Sequence, residues 1–365
     1  MKNYKINKII LTVCFTLSYS LGLAANPQDW VKQLGKKSKK VSPKQTTVAA
    51  IRGVEEISDV DQNARNFEAL AQIEKRKIPE QTLNQFITEG NLKITVKEPE
   101  AQTKIAPPLS ETIPNPVTQA PVSKELKEAA RPLSLEEEIA LGREVAANVI
   151  AQFGLYENES LAQYVNLVGM TIVKNSSRKE LEYHFAILNS PVLNAFAAPG
   201  GYIFITKGLL SLLKDESQLA AILGHEVAHV TQKHVIKEIQ KSKMVEAVIP
   251  SHIKAAANQA TWMKQISGLA IQTLWKGLSR EDELESDRFG LEFAAKAGYD
   301  PQSFSQVLQM LKDRSLQSGK SKELRFLLST HPHPEDRLRL VEEKLKSYPQ
   351  GGEKLDKRFN EQTKL

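Results

Sequence analysis

Two histidines and a glutamate at H-E-x-x-H spacing are the residues of this sequence that point most directly to chemistry. His225, Glu226 and His229 lie in the otherwise apolar run AAILGHEVAHVTQKH, residues 220–234. Residues four apart share one face of an α-helix, so both imidazoles can reach a single ion, with the glutamate at the edge of that face. In this geometry the histidines bind zinc and the glutamate serves as general base. The alternative is a hydrogen-bonded structural cluster, which also offsets the cost of burying ionisable groups.

A third metal ligand is needed, because catalytic zinc usually has three protein ligands and the third is a Glu, Asp or His from elsewhere. The stretch LSREDELESDRFGLEFAAKAGYDP, residues 278–301, is predicted to be helical and carries acids at positions 281, 282, 283, 285 and 287. Glu283 and Asp287 are four apart, so one can ligate while the other orients a ligand histidine. Alone, this acidic stretch is equally typical of a solvated helix face.

A second pair of histidines lies near the C-terminus, in STHPHPEDRL, residues 329–338. Here prolines stiffen the loop that carries His331 and His333 before a predicted helix. Histidines beside prolines are also ordinary turn residues, and we interpret His333 in that way.

The elements that must position these residues are mostly helices. Ser134 and Glu137 have capping-box spacing, and Asp215 and Gln218 cap the helix that carries the H-E-x-x-H run. Apolar spacing and turn residues predict helices over 134–154 and 159–174 and strands over 182–188 and 201–206, with mostly helical chain to about 347. The predicted fold class is therefore α+β, mostly helical with a small β-sheet.

The first 25 residues predict a secretory signal peptide. Three lysines precede an apolar stretch from Ile9 to Leu23, and GLAAN supplies small residues for cleavage. The alternative is an uncleaved membrane anchor, for which this stretch is short. Cys14 is the only cysteine and lies in this segment. The mature chain then has no cysteine, and its metal ligands must be His, Asp or Glu.

Composition predicts how the rest of the chain is divided into regions. Residues 26–96 are predicted to be a small or partly ordered region with one amphipathic helix, or two short ones, near 57–71 and a short strand after Gly90. Six prolines mark residues 97–131 as an extended linker, which leaves a domain over 132–348 and a tail over 349–365. The net charge of +6 comes partly from GKKSKK, residues 35–40. No nucleic-acid-binding signature accompanies that run, so we expect no nucleic-acid partner.

Taken together, these motifs resemble peptidase family M48. The similarity covers about 132–348 and includes LSLEEEIALGREV, NAFAAPGGYIFITKGLL, LAAILGHEVAHVTQKH, SREDELESDRFG and THPHPEDRL. It implies a gluzincin-type metallopeptidase domain, most like the soluble periplasmic BepA type. Two features depart from that type. The tail is too short for a tetratricopeptide repeat of about 34 residues, and the region before residue 132 has no counterpart.

The resemblance also implies roles for individual residues. It places one zinc on His225, His229 and Glu283, with Glu226 as base and Asp287 holding a ligand histidine. His331 would be either a fourth, inhibitory ligand or a donor to the developing oxyanion. The substrate-site residues implied are Asn194, Ala195, Phe196, Ala197 and Arg337, the first four as an edge strand to which a peptide adds by backbone pairing.

Residues 241–277 have apolar faces that allow three interpretations. They predict a helical hairpin packed on the core, a lid over the zinc cleft, or a helix lying against a membrane surface. Their longest uncharged run, Gln265–Trp275, is too short to span a bilayer.

The function that these features favour is an exported, periplasmic zinc endopeptidase. By resemblance, its substrates are misfolded or misassembled envelope proteins and its partners belong to the envelope assembly machinery. One alternative is a chaperone or binding module that holds the metal but cleaves little. Another is a purely structural zinc site closed by His331.

Overall fold

The computed structural model describes residues 59–93, 131–248, 259–317, 322–332 and 334–364. These residues all belong to one compact unit, residues 57–365. The predicted signal peptide, the linker up to residue 130 and His333 lie outside the described residues. The predicted strand after Gly90 is not formed over 91–93, and the rest of it also lies outside.

Helices dominate the described residues. In chain order they are α1 (Asp59–Lys75), α2 (Glu80–Glu89), α3 (Leu135–Phe153), α4 (Glu159–Val173), α5 (Lys207–Leu210), α6 (Glu216–Thr231), α7 (His234–Val248), α8 (Gln259–Lys276), α9 (Arg280–Lys296), α10 (Gln302–Gln317), α11 (Lys322–Thr330), α12 (Pro334–Leu345) and α13 (Asp356–Gln362). The predicted bounds of α3 and α4 are confirmed to within one residue.

Local sequence explains where the helices nearest the site begin. Ser134 and Glu137 form both bonds of the capping box at the start of α3. Asp215 accepts a hydrogen bond from the Gln218 amide at the start of α6, as its spacing predicts. A second capping box, from Ser279 and Asp282, begins α9. Each cap satisfies amides that the first helical turn leaves without partners.

Three short strands form one sheet. They are β1 (His184–Leu188), β2 (Ala195–Ala198) and β3 (Tyr202–Thr206), in the order β1-β3-β2. Strand β1 runs parallel to β3, and β2 runs antiparallel to it. The predicted α+β fold, mostly helical with a small sheet, is therefore confirmed. The sheet places β2 at an edge, beside α6.

Both faces of the sheet are covered, because alternate residues of its strands point to opposite sides. Phe185 and Ile203 pack with residues of α4 and α6 on one face. Ala186 and Phe204 pack with residues of α1, α3 and α8 on the other. The sheet is thus a rigid support against which the helix with the H-E-x-x-H run is held.

Helices outside the predicted domain of 132–348 also pack onto the folded unit. Leu70 and Ile73 of α1 are buried in the same core as α3. Phe86 of α2 and Phe359 of α13 are buried in the core that contains α4 and α6. The region before the linker and the C-terminal tail therefore contribute packed helices, because their apolar residues at helical spacing find partners on the domain.

The segment 241–277 contributes the end of α7 and all of α8. Ile266, Ala270 and Leu274 of α8 are buried against the sheet, which accords with the packed interpretation of that helix. Among the described residues, no helix combines the length and apolar character needed to cross a membrane. A lid or a membrane contact through this segment stays a prediction.

Candidate metal centre

Helices α6 and α9 cross at two glycines. A Cβ atom on Gly290 would lie 2.7 Å from the backbone nitrogen of His225, and one on Gly224 would lie 2.8 Å from the Gly290 carbonyl oxygen. A side chain at either position would push the helices apart. This close approach brings Glu283 and Asp287 of α9, both buried, onto the face of α6 that carries the histidines.

The crossing brings together the three ligands that the resemblance implies. The Nε2 atoms of His225 and His229 are 2.9 Å apart. The Glu283 carboxylate oxygens lie 3.5 Å from His225 Nε2 and 3.4 Å from His229 Nε2. His331 completes a group of four residues whose ligand atoms all lie within 4.8 Å of one another.

This donor set fits a zinc ion. Atoms about 2.0–2.1 Å from a shared tetrahedral zinc lie about 3.3 Å apart, and the separations within the His225, His229 and Glu283 set are close to that value. Asp287 Oδ1 lies 2.9 Å from His225 Nδ1. The carboxylate therefore accepts a hydrogen bond from that nitrogen, which leaves the Nε2 lone pair for a metal. This is the position that the resemblance implies for Asp287.

Glu226 lies beside this group and is only 2% exposed. Among the described residues, its Oε2 atom has no hydrogen-bond partner. Burial raises the pKa of the Glu226 carboxyl above its ordinary value. A buried carboxylate with an unpaired oxygen is suited to accept a proton from a polar group that enters the site.

Arg337 is paired with the acids of α9. Its Nη1 atom lies 2.8 Å from Glu283 Oε2, and Nε and Nη2 each donate to the Asp287 carboxylate at 2.7 Å. Burial raises the pKa of Glu283, but the charges of His331 and Arg337 outweigh it and hold that pKa well below its usual range. Burial likewise raises the pKa of Asp287, but the charge and hydrogen bonds of Arg337 outweigh it and lower that pKa. Both carboxylates are therefore ionised, and the Arg337 guanidinium is engaged in holding them rather than free for substrate.

His331 lies at the mouth of the group, directly after α11. Its Nδ1 atom is 3.2 Å from Glu283 Oε2, and its Nε2 atom is 3.4 Å from the Ala195 carbonyl oxygen and 3.8 Å from Glu226 Oε1. The preceding Thr330 donates to the Asn194 side-chain oxygen at 3.2 Å. The Asn194 side chain thus anchors the His331 loop.

The edge strand β2 presents its backbone rather than its side chains. The Asn194 carbonyl accepts from the Thr206 amide, and pairing alternates along an antiparallel strand. The polar backbone groups of Ala195 and Ala197 therefore point away from β3. The Phe196 side chain packs against Phe153 and Trp275, at ring separations of 5.5 and 5.4 Å.

A cleft opens beside Glu226 and His331. Apart from these two residues, His225 and Arg337, its wall is apolar: Ala195, Leu209, Ala221, Ile222, Phe304, Val307, Leu308, Leu311 and Leu327. An apolar lining with a few converging polar groups is typical of a ligand site. Sequence reasoning did not identify the residues contributed by α10.

Sequence reasoning also missed two polar residues behind His229. The Nδ1 atom of His229 lies 2.9 Å from His234 Nδ1 and 3.0 Å from Ser286 Oγ. Ser286 follows Glu283 by three residues on α9, so its position followed from the predicted ligand face. His234 gave a weaker signal, because it follows His229 by five residues, a spacing that does not share a helix face.

Comparison with known proteins relates the chain to one family. The sequence model of Peptidase family M48 matches residues 159–345. Similar proteins include the beta-barrel assembly-enhancing proteases of Yersinia pestis, 31% identical over 218 residues, and Escherichia coli K12, 31% identical over 217 residues; each match covers 58% of this chain and 44% of the relative. The mitochondrial metalloendopeptidase OMA1 of Schizosaccharomyces pombe is 30% identical over 215 residues, covering 58% of this chain and 62% of that protein. The chain thus matches less than half the length of the two bacterial relatives.

Proposed function

This chain belongs to peptidase family M48 and carries a metalloprotease domain, and from that premise we propose that it is an exported zinc-dependent endopeptidase. His225, His229 and Glu283 hold one zinc ion, and Glu226 is the general base. The observation that carries the proposal is the buried group of these three ligands beside the unpaired oxygen of Glu226.

The chain's own residues supply the proton transfers. Zinc at such a site provides Lewis-acid polarisation of the scissile carbonyl and lowers the pKa of an attacking water. Glu226 takes a proton from that water and passes it to the nitrogen of the leaving amine. Burial favours the first of these transfers, because it raises the pKa of Glu226 and so makes its carboxylate a stronger base.

The substrate is an extended polypeptide. The backbone groups of Ala195 and Ala197 point away from β3 and can pair with an added strand once His331 leaves the Ala195 carbonyl. The adjoining cleft is lined by Val307, Leu308 and other apolar side chains, so it favours a large apolar residue next to the cleaved bond. Unfolded chains expose such residues and native ones bury them, which supports misfolded proteins as the substrate class.

The cellular setting is proposed from the sequence and from the relatives. The apolar segment at residues 9–23 supports export to the periplasm. Two relatives are named for the assembly of β-barrels. We therefore propose misassembled envelope proteins as substrates and the envelope assembly machinery as a partner. Contact with the membrane surface through 241–277 belongs to the same proposal.

One observation favours a second candidate, a metal-holding chaperone or binding module with little proteolytic activity. His331 belongs to the metal group and contacts the Ala195 carbonyl, which an added strand needs for pairing. A histidine fixed in this position would limit cleavage while the cleft still bound unfolded chain.

Zinc analysis combined with casein cleavage separates the candidates. The purified protein should hold about one zinc per chain and cleave casein; a chelator should stop cleavage, and added zinc should restore it. His229→Ala should lose both metal and activity. Wild-type protein that holds zinc fully and never cleaves casein would favour the second candidate.

A further inference from the structure

His234 is a buried histidine that the proposed mechanism does not use. It is fully buried at the first residue of α7. Its Nδ1 atom lies 2.9 Å from His229 Nδ1 and 3.2 Å from Ser286 Oγ. On the other side of the ring, its Nε2 atom lies 2.9 Å from Glu285 Oε2. The imidazole therefore bridges a proposed metal ligand and a carboxylate at the surface.

A break between two helices creates this arrangement. Helix α6 ends at Thr231, and Lys233 adopts a left-handed conformation with φ of 58°. Lysine rarely adopts this conformation. The break starts α7 in a new direction and turns the His234 ring back towards His229, which an uninterrupted helix would not do.

We infer that His234 is a positioning residue for zinc, holding His229 in the tautomer that binds the metal; this inference rests on the proposed zinc site. Binding through Nε2 leaves the proton of neutral His229 on Nδ1, which must donate it. The nearest acceptor is the unprotonated Nδ1 of His234. The proton of His234 then lies on Nε2 and is donated to Glu285.

The two ligand histidines are thus supported in different ways. His225 donates directly to the buried Asp287, whereas His229 reaches a carboxylate through a second imidazole. The Glu285 side chain is 36% exposed, and Lys237 Nζ lies 3.9 Å from it. Asp282 adds a second carboxylate oxygen 3.6 Å from His234 Nε2. Partners of this kind raise ligand basicity, and their removal typically lowers metal affinity by about 10–100-fold.

Three substitutions at His234 separate hydrogen bonding from packing. The Oδ1 atom of asparagine can replace Nδ1 as the acceptor for His229, so His234→Asn should bind zinc within about threefold of wild type. Leucine fills the space without accepting a hydrogen bond, and His234→Leu should bind zinc about 10–100-fold more weakly. The polar end of glutamine reaches towards Glu285 instead, so His234→Gln should resemble the leucine variant.

Zinc dissociation constants, measured by competition with a chromophoric chelator, test the inference without using activity. Urea unfolding of the metal-free proteins identifies any variant that does not fold. Glu285→Ala leaves the core intact and should weaken zinc binding severalfold, whereas Glu281→Ala removes an exposed acid of the same helix and serves as the charge-matched control. Ser286→Ala should change the affinity by less than about threefold, because the serine hydroxyl is the secondary acceptor.

The inference is overturned if folded His234→Leu binds zinc as tightly as wild type, or if His234→Asn loses as much affinity as His234→Leu. Should the leucine variant not fold, equal affinities in Glu285→Ala and Glu281→Ala overturn it. Failure of the proposed function looks different: wild-type protein would bind no zinc, or His229→Ala would bind it as well as wild type.

Discussion

Replacing Arg358 by methionine should destabilise the fold strongly, because this residue of α13 joins both ends of the described chain to the helix of the metal site. Its guanidinium donates to the Glu216 carboxylate at 2.6 and 2.5 Å. It also donates to the Phe86 carbonyl at 2.9 Å and lies 3.9 Å from the Phe86 ring centroid. Glu216 is the first residue of α6, nine positions before His225.

The size of the effect follows from the burial of Glu216, whose side chain is 0% exposed. Without Arg358, its carboxylate keeps hydrogen bonds from the hydroxyls of Tyr164 and Tyr299, at 2.9 and 2.8 Å. Neither hydroxyl balances the charge. Breaking a buried ion pair by removing one partner costs about 3–5 kcal/mol. The contacts to Phe86 are lost together with the ion pair, so we use the same range of about 3–5 kcal/mol for the whole substitution.

Urea unfolding followed by circular dichroism measures the effect. Arg358→Met should lower the free energy of unfolding by about 3–5 kcal/mol, and the double variant Glu216→Gln, Arg358→Met should recover at least half of that loss, because no buried charge is left unpaired. Lys357→Met removes an exposed charge from the same helix and should change stability by less than about 0.5 kcal/mol. A loss below about 1 kcal/mol for Arg358→Met would refute the reasoning.

Three further predictions concern the metal group and pH. Glu283→Ala should lose most of its zinc while Glu281→Ala keeps it; full zinc occupancy in Glu283→Ala would remove Glu283 from the ligand set. His331→Ala should raise basal casein cleavage and loosen zinc slightly, if this histidine is an inhibitory ligand; a loss of roughly a hundredfold with normal zinc content would instead make it an oxyanion donor. Burial lowers the pKa of His184, so the folded protein favours the neutral imidazole. The stability that neutral His184 contributes is fully present above pH about 6.5, where the unfolded chain is also neutral at this residue, and it is lost as the pH falls below that value. When the pH is lowered from 8 to 5.5, the free energy of unfolding of wild type should therefore fall by up to about 1.4 kcal/mol more than that of His184→Phe. Equal decreases in the two proteins, measured by urea unfolding, would contradict this.

The helix ends near the site were predictable because their signals are local. Ser134 with Glu137, and Asp215 with Gln218, place a side-chain acceptor within reach of the next free amide, whatever the rest of the fold does. The same holds for the shared helix face of His225 and His229, which depends only on helical spacing.

Other parts of the fold depend on contacts between distant segments. Nothing in the sequence around Arg358 indicates that it pairs with Glu216, 142 residues away. The surfaces against which α1 and α2 pack were equally unpredictable from the sequence. The pattern of an amphipathic helix shows that the helix has an apolar face, but it does not show which surface covers that face.

The residues of the metal group also differ in how far the sequence predicts their positions. The motif indicates His225 and His229, but spacing alone left Glu283 among five acids, and only the family resemblance selected it. His234 escaped detection because its position depends on the left-handed turn at Lys233, which no residue preference predicts.

Glu226→Gln tests the central claim most directly. Glutamine keeps the size of the side chain and its hydrogen-bonding capacity but cannot take up a proton, so the change separates proton transfer from metal binding. Zinc content and casein cleavage are measured on the same purified samples of wild type and variant. We predict about one zinc per chain in both proteins, with cleavage by Glu226→Gln almost abolished. Cleavage at the wild-type rate by the zinc-loaded variant would contradict the assignment of Glu226 as the base.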